Sequence, residues 1–212
     1  MSINLSQMCD RVIGSLAKDG VRPRLLLHSC CAPCSSYVTE YLSPYFDLTL
    51  FFYNPNIFPF EEFQKRYSEL VRYVNERFNG EIKIICPEWD HREFLSFADG
   101  LYDEPEGGER CLKCYALRLE ATARAAAAGK FPFYCTTLSV SPHKNAVALY
   151  EIGTEFGEKS GVTYLPSDFK KKDGYKRSIE LSREYGLYRQ DFCGCPFSEI
   201  EAKKKRERRS TE

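Results

Sequence analysis

The sequence has little of what would carry a chain into or across a membrane. No apolar stretch among its 212 residues approaches the roughly 20 needed to span a bilayer. Met1-Ser2-Ile3-Asn4-Leu5 has no basic region followed by an apolar block, the pattern of a secretory leader. The protein is expected to stay in the cytoplasm with no membrane partner. Charge of one sign is also lacking: 30 Lys and Arg balance 30 Asp and Glu, so no global field favours nucleic acid. There is no internal repeat, low-complexity linker or Pro/Gly-rich hinge, which argues for one α/β domain over residues 1–212. The basic tail at about 203–212, with Lys203-Lys204-Lys205-Arg206-Glu207-Arg208-Arg209, reads first as a solvated helix end and second as a phosphate contact.

What is abundant is cysteine, ten residues in all. In a reducing compartment, thiols read as metal ligands or redox groups more readily than as structural disulfides. Apolar runs at Arg24–His28, Leu48–Tyr53, Ile82–Cys86, Phe133–Leu138 and Gly161–Leu165 predict five strands. Three- and four-residue spacing predicts helices over Glu62–Arg77, Cys111–Ala128, His143–Phe156 and Tyr175–Tyr185. Strands alternating with helices imply an open, mostly parallel α/β sheet of Rossmann-like type. In such sheets ligands bind beyond the carboxyl ends of the strands, where Cys30-Cys31, Asn54-Pro55-Asn56 and Thr136-Thr137-Leu138-Ser139 fall.

Seven of the thiols stand in three motifs, Cys30-Cys31-x-x-Cys34, Cys111-x-x-Cys114 and Cys193-x-Cys195. The first is placed in the loop after the first strand, with Pro33 stiffening the turn. The second opens a helix, where the dipole favours a lowered thiol pKa. Seven ligands exceed one tetrahedral ion. One economical partition gives Cys30, Cys31, Cys111 and Cys114 to a [4Fe-4S] cluster and leaves three thiols for a second metal or for electron handling. A disulfide across Cys193-Gly194-Cys195 would be strained and easily reduced, which suits a redox pair; metal ligation is its alternative role. Cys9, Cys86 and Cys135 read as packing residues.

His28-Ser29-Cys30-Cys31-Ala32-Pro33-Cys34, Tyr53-Asn54-Pro55-Asn56-Ile57, Glu109-Arg110-Cys111-x-x-Cys114, Thr136-Thr137-Leu138 and Tyr188-Arg189-Gln190-Asp191-Phe192-Cys193-Gly194-Cys195 together resemble the cobalamin-independent epoxyqueuosine reductases over nearly the whole chain. The resemblance implies reduction of epoxyqueuosine at the wobble position of tRNA to queuosine plus water, with two electrons and two protons from an external donor. It also implies an additional iron ion beside the cluster, with Cys34 a candidate ligand alongside an Asp or a thiol of Cys193-Gly194-Cys195. The catalytic candidates are Cys193 and Cys195.

Around these, Asn54 and Asn56 are candidates to hydrogen-bond the nucleoside, with turn formation as the plain alternative. Thr136, Thr137, Ser139, Ser141 and Lys144 suit a phosphate contact, or one of them a helix cap. Lys170-Lys171-Lys172, Arg177, Arg183 and Arg189 suit a tRNA backbone. Tyr188 and Phe192 suit base stacking or core packing. His28 and His143 are candidate proton donors, although His28 fits a hydrogen-bonded histidine at a buried strand end better. Two other readings stand beside this one. A PP-loop-type tRNA sulfurtransferase needs a Gly-rich nucleotide cradle that Ser29-Cys30-Cys31-Ala32-Pro33-Cys34-Ser35-Ser36 lacks. A zinc-stabilised RNA-binding module would use the C-x-x-C hooks alone.

Overall fold

A computed structural model describes residues 3–210. In chain order its elements are α1 (Leu5–Lys18), β1 (Arg24–His28), α2 (Ala32–Leu42), β2 (Asp47–Phe51), α3 (Phe60–Phe78), β3 (Lys83–Ile85), α4 (His91–Ala98), α5 (Glu109–Ala128), β4 (Phe133–Thr136), α6 (Ala146–Ser160), β5 (Thr163–Tyr164), α7 (Gly174–Glu184) and α8 (Pro196–Ser210).

The run Leu25-Leu26-Leu27 sets the architecture. Side chains alternate along a strand, so a run that is apolar at every position needs apolar cover on both faces. Leu25 and Leu27 enter one core with Ile13, Val38, Leu42, Leu70 and Val74, from α1, α2 and α3. Leu26 enters a second core with Leu119, Ala123 and Leu149, from α5 and α6. All three leucines are fully buried, each contributing about 1.5–3 kcal/mol. A smaller cluster joins Phe94 of α4 to Cys114, Leu117 and Cys195.

The five strands are parallel in the order β3-β2-β1-β4-β5. The chain builds outward from β1 through β2 and β3, then returns to the opposite side of β1 with β4. That reversal opens a crevice at the carboxyl ends of β1 and β4. Register places His28 beside Phe51 on one side and Thr136 on the other, so the segments after β1, β2 and β4 leave the sheet at one level.

Five strands occur where the sequence predicts them, and the differences fall at their ends. β4 stops at Thr136 because its Oγ1 accepts the Leu138 N–H at 3.2 Å and turns the chain into a short 3-10 segment, Thr137–Val140. α6 begins at Ala146, not His143, because the Asn145 side chain caps the Val147 and Ala148 amides. Lys144 thus lies in the turn before the helix. Cys34 is not in a loop: Cys31 is the N-cap of α2, with Pro33 in the first turn, where its missing N–H and fixed φ are harmless. The basic run lies within α8 as far as Ser210; residues 211 and 212 lie outside the described residues.

Candidate metal and redox site

β1 ends at His28, two residues before Cys30, and α2 has Cys31 as its N-cap and Cys34 in its first turn. The ligating sulfurs of Cys30, Cys31 and Cys34 all lie within 4.8 Å of one another, the one group of three or more ligand atoms so placed among the described residues. Cys30 Sγ is 3.7 Å from Cys31 Sγ, and the Cys30 amide donates to Thr137 Oγ1 at 3.3 Å, tying the first motif to the end of β4. Hydrogen bonds from Cys30 and then Cys34 hold the Cys31 thiol well below its ordinary range, helped by the Arg66 cation. The same bonds push Cys30 up to about 12 and Cys34 upward as well.

Cys111 and Cys114 occupy the start of α5. Gly108, its N-cap, offers no side-chain cap, and the Gly107 amide donates to Cys111 Sγ at 3.2 Å. The lowered pKa expected from the helix dipole does not hold for Cys114. It is buried, and burial pushes its thiol up to about 12, with Arg118 opposing in part.

Cys193 and Cys195 stand between α7 and α8. Both are free thiols, as are all ten cysteines, so the expected disulfide is not formed. Gly194 between them has φ of 116°, a left-handed-side conformation that glycine alone adopts readily. Arg66 Nη1 donates to the Cys193 carbonyl at 3.0 Å, and the Phe58 amide donates to the Gly194 carbonyl at 3.0 Å. Burial alone would raise the Cys193 thiol, but Lys144, Arg118 and Arg66 outweigh it and bring it below its ordinary value. Burial and the neighbouring Cys193 raise Cys195 instead.

Two adjoining spaces bring the motifs together. A cleft of about 380 Å³ is bordered by Cys30, Cys31, Cys34 and Cys193. A pocket of about 10 Å³ lies among Cys111, Cys114, Cys193 and Cys195. Cys193, Glu106, Arg118 and Lys144 border both. The four thiols assigned from sequence to a cluster, Cys30, Cys31, Cys111 and Cys114, are thus split between two neighbouring walls.

The remaining predicted residues are distributed unevenly. Asn54 is buried and its Nδ2 donates to the Ser29 carbonyl at 2.9 Å, bracing the first motif. Asn56 borders the small pocket with its buried Oδ1 unpartnered. The hydroxyls of Thr136, Thr137 and Ser139 are buried and engaged with Leu138, Cys30 and Phe169. Of the hydroxyls expected at a phosphate, Ser141 alone borders the cleft, together with Lys144. Lys144 is buried, 3.0 Å from Glu106 Oε1 and 3.4 Å from Cys193 Sγ. Burial would discharge it, but Cys193, Tyr115 and Glu106 hold its pKa above the ordinary lysine range.

Arg189 borders the cleft and donates to Ser182 Oγ at 3.0 Å. Much of the basic run is spent internally: Lys170 on Asp168, Lys172 on Asp10 and Arg177 on Glu40. Phe192 borders the cleft beneath Arg66, while Tyr188 packs under Lys65 and donates to Glu62. His143 reaches the cleft. His28 does not: it is buried, bonded to Thr136 Oγ1 at 2.8 Å and Tyr53 O at 3.1 Å, and burial followed by the Arg118 charge depresses it to about 3.

Sequence patterns alone miss the buried cations Arg66, Arg110 and Arg118. Their signal was present. Arg66 falls three residues after Phe63 and four before Leu70, on the apolar stripe of α3, and Arg118 follows Cys114 by four on the inner face of α5. Arg66 Nη2, Arg110 Nε and Arg118 Nη2 are buried without hydrogen-bond partners. Buried guanidinium N–H groups left open beside the thiols, with Arg118 lacking any carboxylate among the described residues, fit a bound group of net negative charge, such as a thiolate-ligated iron-sulfur cluster.

A family model described as Epoxyqueuosine reductase QueH matches residues 25–201. The chain belongs to this family. An Epoxyqueuosine reductase QueH of Staphylococcus epidermidis is 42% identical over 202 residues, spanning 92% of this chain and 84% of that protein. The QueH protein of Thermotoga maritima is 36% identical over 187 residues, spanning 85% of this chain and 93% of its own length. The fold is also that of a solved protein from Methanocaldococcus jannaschii, described as a predicted subunit of tRNA methyltransferase. It matches at a TM-score of 0.50 with 14% identity, over 77% of this chain and 75% of that one. No helix among the described residues is long and apolar enough to cross a membrane.

Proposed function

We propose that this QueH-family chain reduces epoxyqueuosine in tRNA to queuosine without cobalamin: two electrons and two protons are consumed, both epoxide C–O bonds break, and the oxygen leaves as water. The observation that carries this reading is the meeting of all three cysteine motifs around two adjoining spaces at the carboxyl edge of the sheet. Cys30, Cys31, Cys111 and Cys114 would hold a [4Fe-4S] cluster, and Cys34 would hold an additional iron with a neighbouring acid or thiol. When bound, such a cluster supplies electrons singly at low potential and an adjacent iron supplies a Lewis acid.

The chain's own part is to bind, shield and supply protons. The cleft is lined both by apolar groups, Cys30, Leu138, Val140 and Phe192, and by polar ones, His143, Arg189 and Lys205, a mixture that suits a nucleoside and its phosphates. Lys144 carries a proton at Nζ toward Cys193 and keeps that sulfur nucleophilic. Cys193, which borders the cleft, acts with Cys195 behind it as a dithiol, oxidised and reduced once per turnover, with electrons entering from an external donor.

Anaerobic incubation of iron- and sulfide-reconstituted protein with epoxyqueuosine-containing tRNA and a strong reductant tests the proposal by nucleoside mass analysis. The expected product has lost one oxygen. An unchanged nucleoside, with iron content verified, refutes it. Cys193→Ser with Cys195→Ser is expected to abolish turnover; full activity there removes the dithiol role.

A further inference from the structure

Arg118 differs from the other buried cations of the site, Arg66, Arg110 and Lys144. Its side chain is 1% exposed, its Nε donates to the Cys114 carbonyl at 3.2 Å, and its Nη2 is buried with no partner. Arg66, Arg110 and Lys144 each have a carboxylate, Glu62 at 2.7 Å, Glu201 at 4.0 Å and Glu106 at 3.0 Å. Among the described residues no carboxylate pairs with Arg118. A guanidinium stays charged at every accessible pH, so it cannot escape burial by losing its proton, and an uncompensated buried charge is costly.

The location is specific. Arg118 borders both the cleft and the small pocket, and sulfurs from all three motifs share those spaces with it: Cys30 in the cleft, Cys114 in the pocket and Cys193 in both. An intrahelical bond to a carbonyl four residues back does not require arginine, because that carbonyl is already paired within α5. What remains without a carboxylate among the described residues is one positive charge at the point where the three motifs meet.

We infer that Arg118 is a positioning residue of the metal centre: a permanent cation that offsets the negative charge of the thiolate-bound cluster and raises its reduction potential. The inference rests on the cluster reading above. Reduction adds one negative charge to the centre, so a fixed nearby cation favours the reduced state, and nearby charge and hydrogen bonds to sulfur are among the levers that set such potentials.

The test compares wild type, Arg118→Lys and Arg118→Met, each purified without iron and then reconstituted anaerobically with ferrous iron and sulfide. Iron per chain, midpoint potential by spectroelectrochemical titration, and thermal unfolding of iron-free and loaded forms are measured. In Arg118→Met the reduction equilibrium is expected to move at least about tenfold toward the oxidised form, about 59 mV for a one-electron couple. The same variant, freed of an uncompensated charge, is expected to unfold no earlier than wild type when iron-free. Arg118→Lys should stay near the wild-type potential. Failure of the Met variant alone to load iron also supports the charge role.

An iron-free Met variant that is destabilised or unfolded, or a loaded one at the wild-type potential, would overturn the inference, as would a Lys variant as impaired as Met. If wild type itself assembles no cluster, the cluster reading fails instead, and the control shows it.

Discussion

Replacing Gly194 by alanine probes whether the loop between Cys193 and Cys195 is held as tightly as its contacts imply. An added Cβ would meet Arg66 Nη1 and Ile57 Cγ1 at 3.0 Å, and Arg66 Cζ at 3.3 Å. Neither neighbour is free to give way. Ile57 is buried, and Arg66 is fixed between Glu62 and the Cys193 carbonyl. The φ of 116° at Gly194 adds a backbone penalty of about 1–3 kcal/mol for an L-residue, and the overpacking about 1–3 kcal/mol more. Together they amount to roughly 2–6 kcal/mol. At roughly 2–4 °C per kcal/mol for a chain of this size, the iron-free protein should melt roughly 4–24 °C lower by calorimetry under reductant. If the loop relaxes instead, the Cys193 carbonyl leaves Arg66, melting changes less, and reduction of epoxyqueuosine-containing tRNA should fall at least tenfold. A Gly194→Ala protein that melts within about 2 °C of wild type and turns over fully would refute the reasoning, because both routes would then be closed.

Lys144→Met removes the cation nearest Cys193, and in iron-free protein at neutral pH alkylation of Cys193 by iodoacetamide should slow about tenfold, read by peptide mass analysis; an unchanged rate removes Lys144 from the activation of that thiol. Burial depresses His28 to about 3 from an ordinary 6.5. The unfolded chain therefore binds the extra proton between those values, so stability is full above about pH 6.5 and is lost as pH falls toward 3, by up to roughly 5 kcal/mol. Urea unfolding across that range should show a shallower slope in His28→Gln, and parallel slopes would count against a neutral buried His28. Cys30→Ser and Cys111→Ser should each cut reconstituted iron by about half or more, whereas Cys86→Ser, outside the cleft and pocket, should load like wild type; equal iron in all three would sink the ligand assignment.

How much of this could be read beforehand depended on whether a residue's role was local. Leu25-Leu26-Leu27 announces a doubly covered strand through composition alone, and Phe63, Leu70 and Val74 announce α3 through spacing. The helix α2 was hidden because Ala32-Pro33-Cys34-Ser35-Ser36 has the composition of a turn. It is helical because Pro33 sits where a helix tolerates proline, and because Ser35, Ser36 and Thr39 return their hydroxyls to carbonyls at 2.7–2.9 Å, making polar side chains compatible with burial. Strand and helix ends shifted where a single side chain, Thr136 or Asn145, captured an amide. The three motifs declared their chemistry through spacing, but spacing says nothing about depth. Cys114, raised by desolvation, and Thr136, Thr137 and Ser139, turned inward, are where that limit shows. Arg118 was visible only as a charge on an inner helical face, and its lack of a carboxylate partner emerged only in three dimensions.

The strand order has a consequence for how the protein is made. β4, which flanks β1 and leads into Thr137 at the Cys30 amide, is synthesised only after α5, and the Cys193 carbonyl that Arg66 grips comes later still. A nascent chain therefore exposes Cys30, Cys31 and Cys34 long before the cleft has its opposite wall. Its closing contacts join residues far apart in sequence, which is the slow part of folding. Closure of the cleft is thus confined to a chain whose third motif has already emerged, and any product interrupted before Cys193 leaves the adjacent thiols of the first motif without that wall.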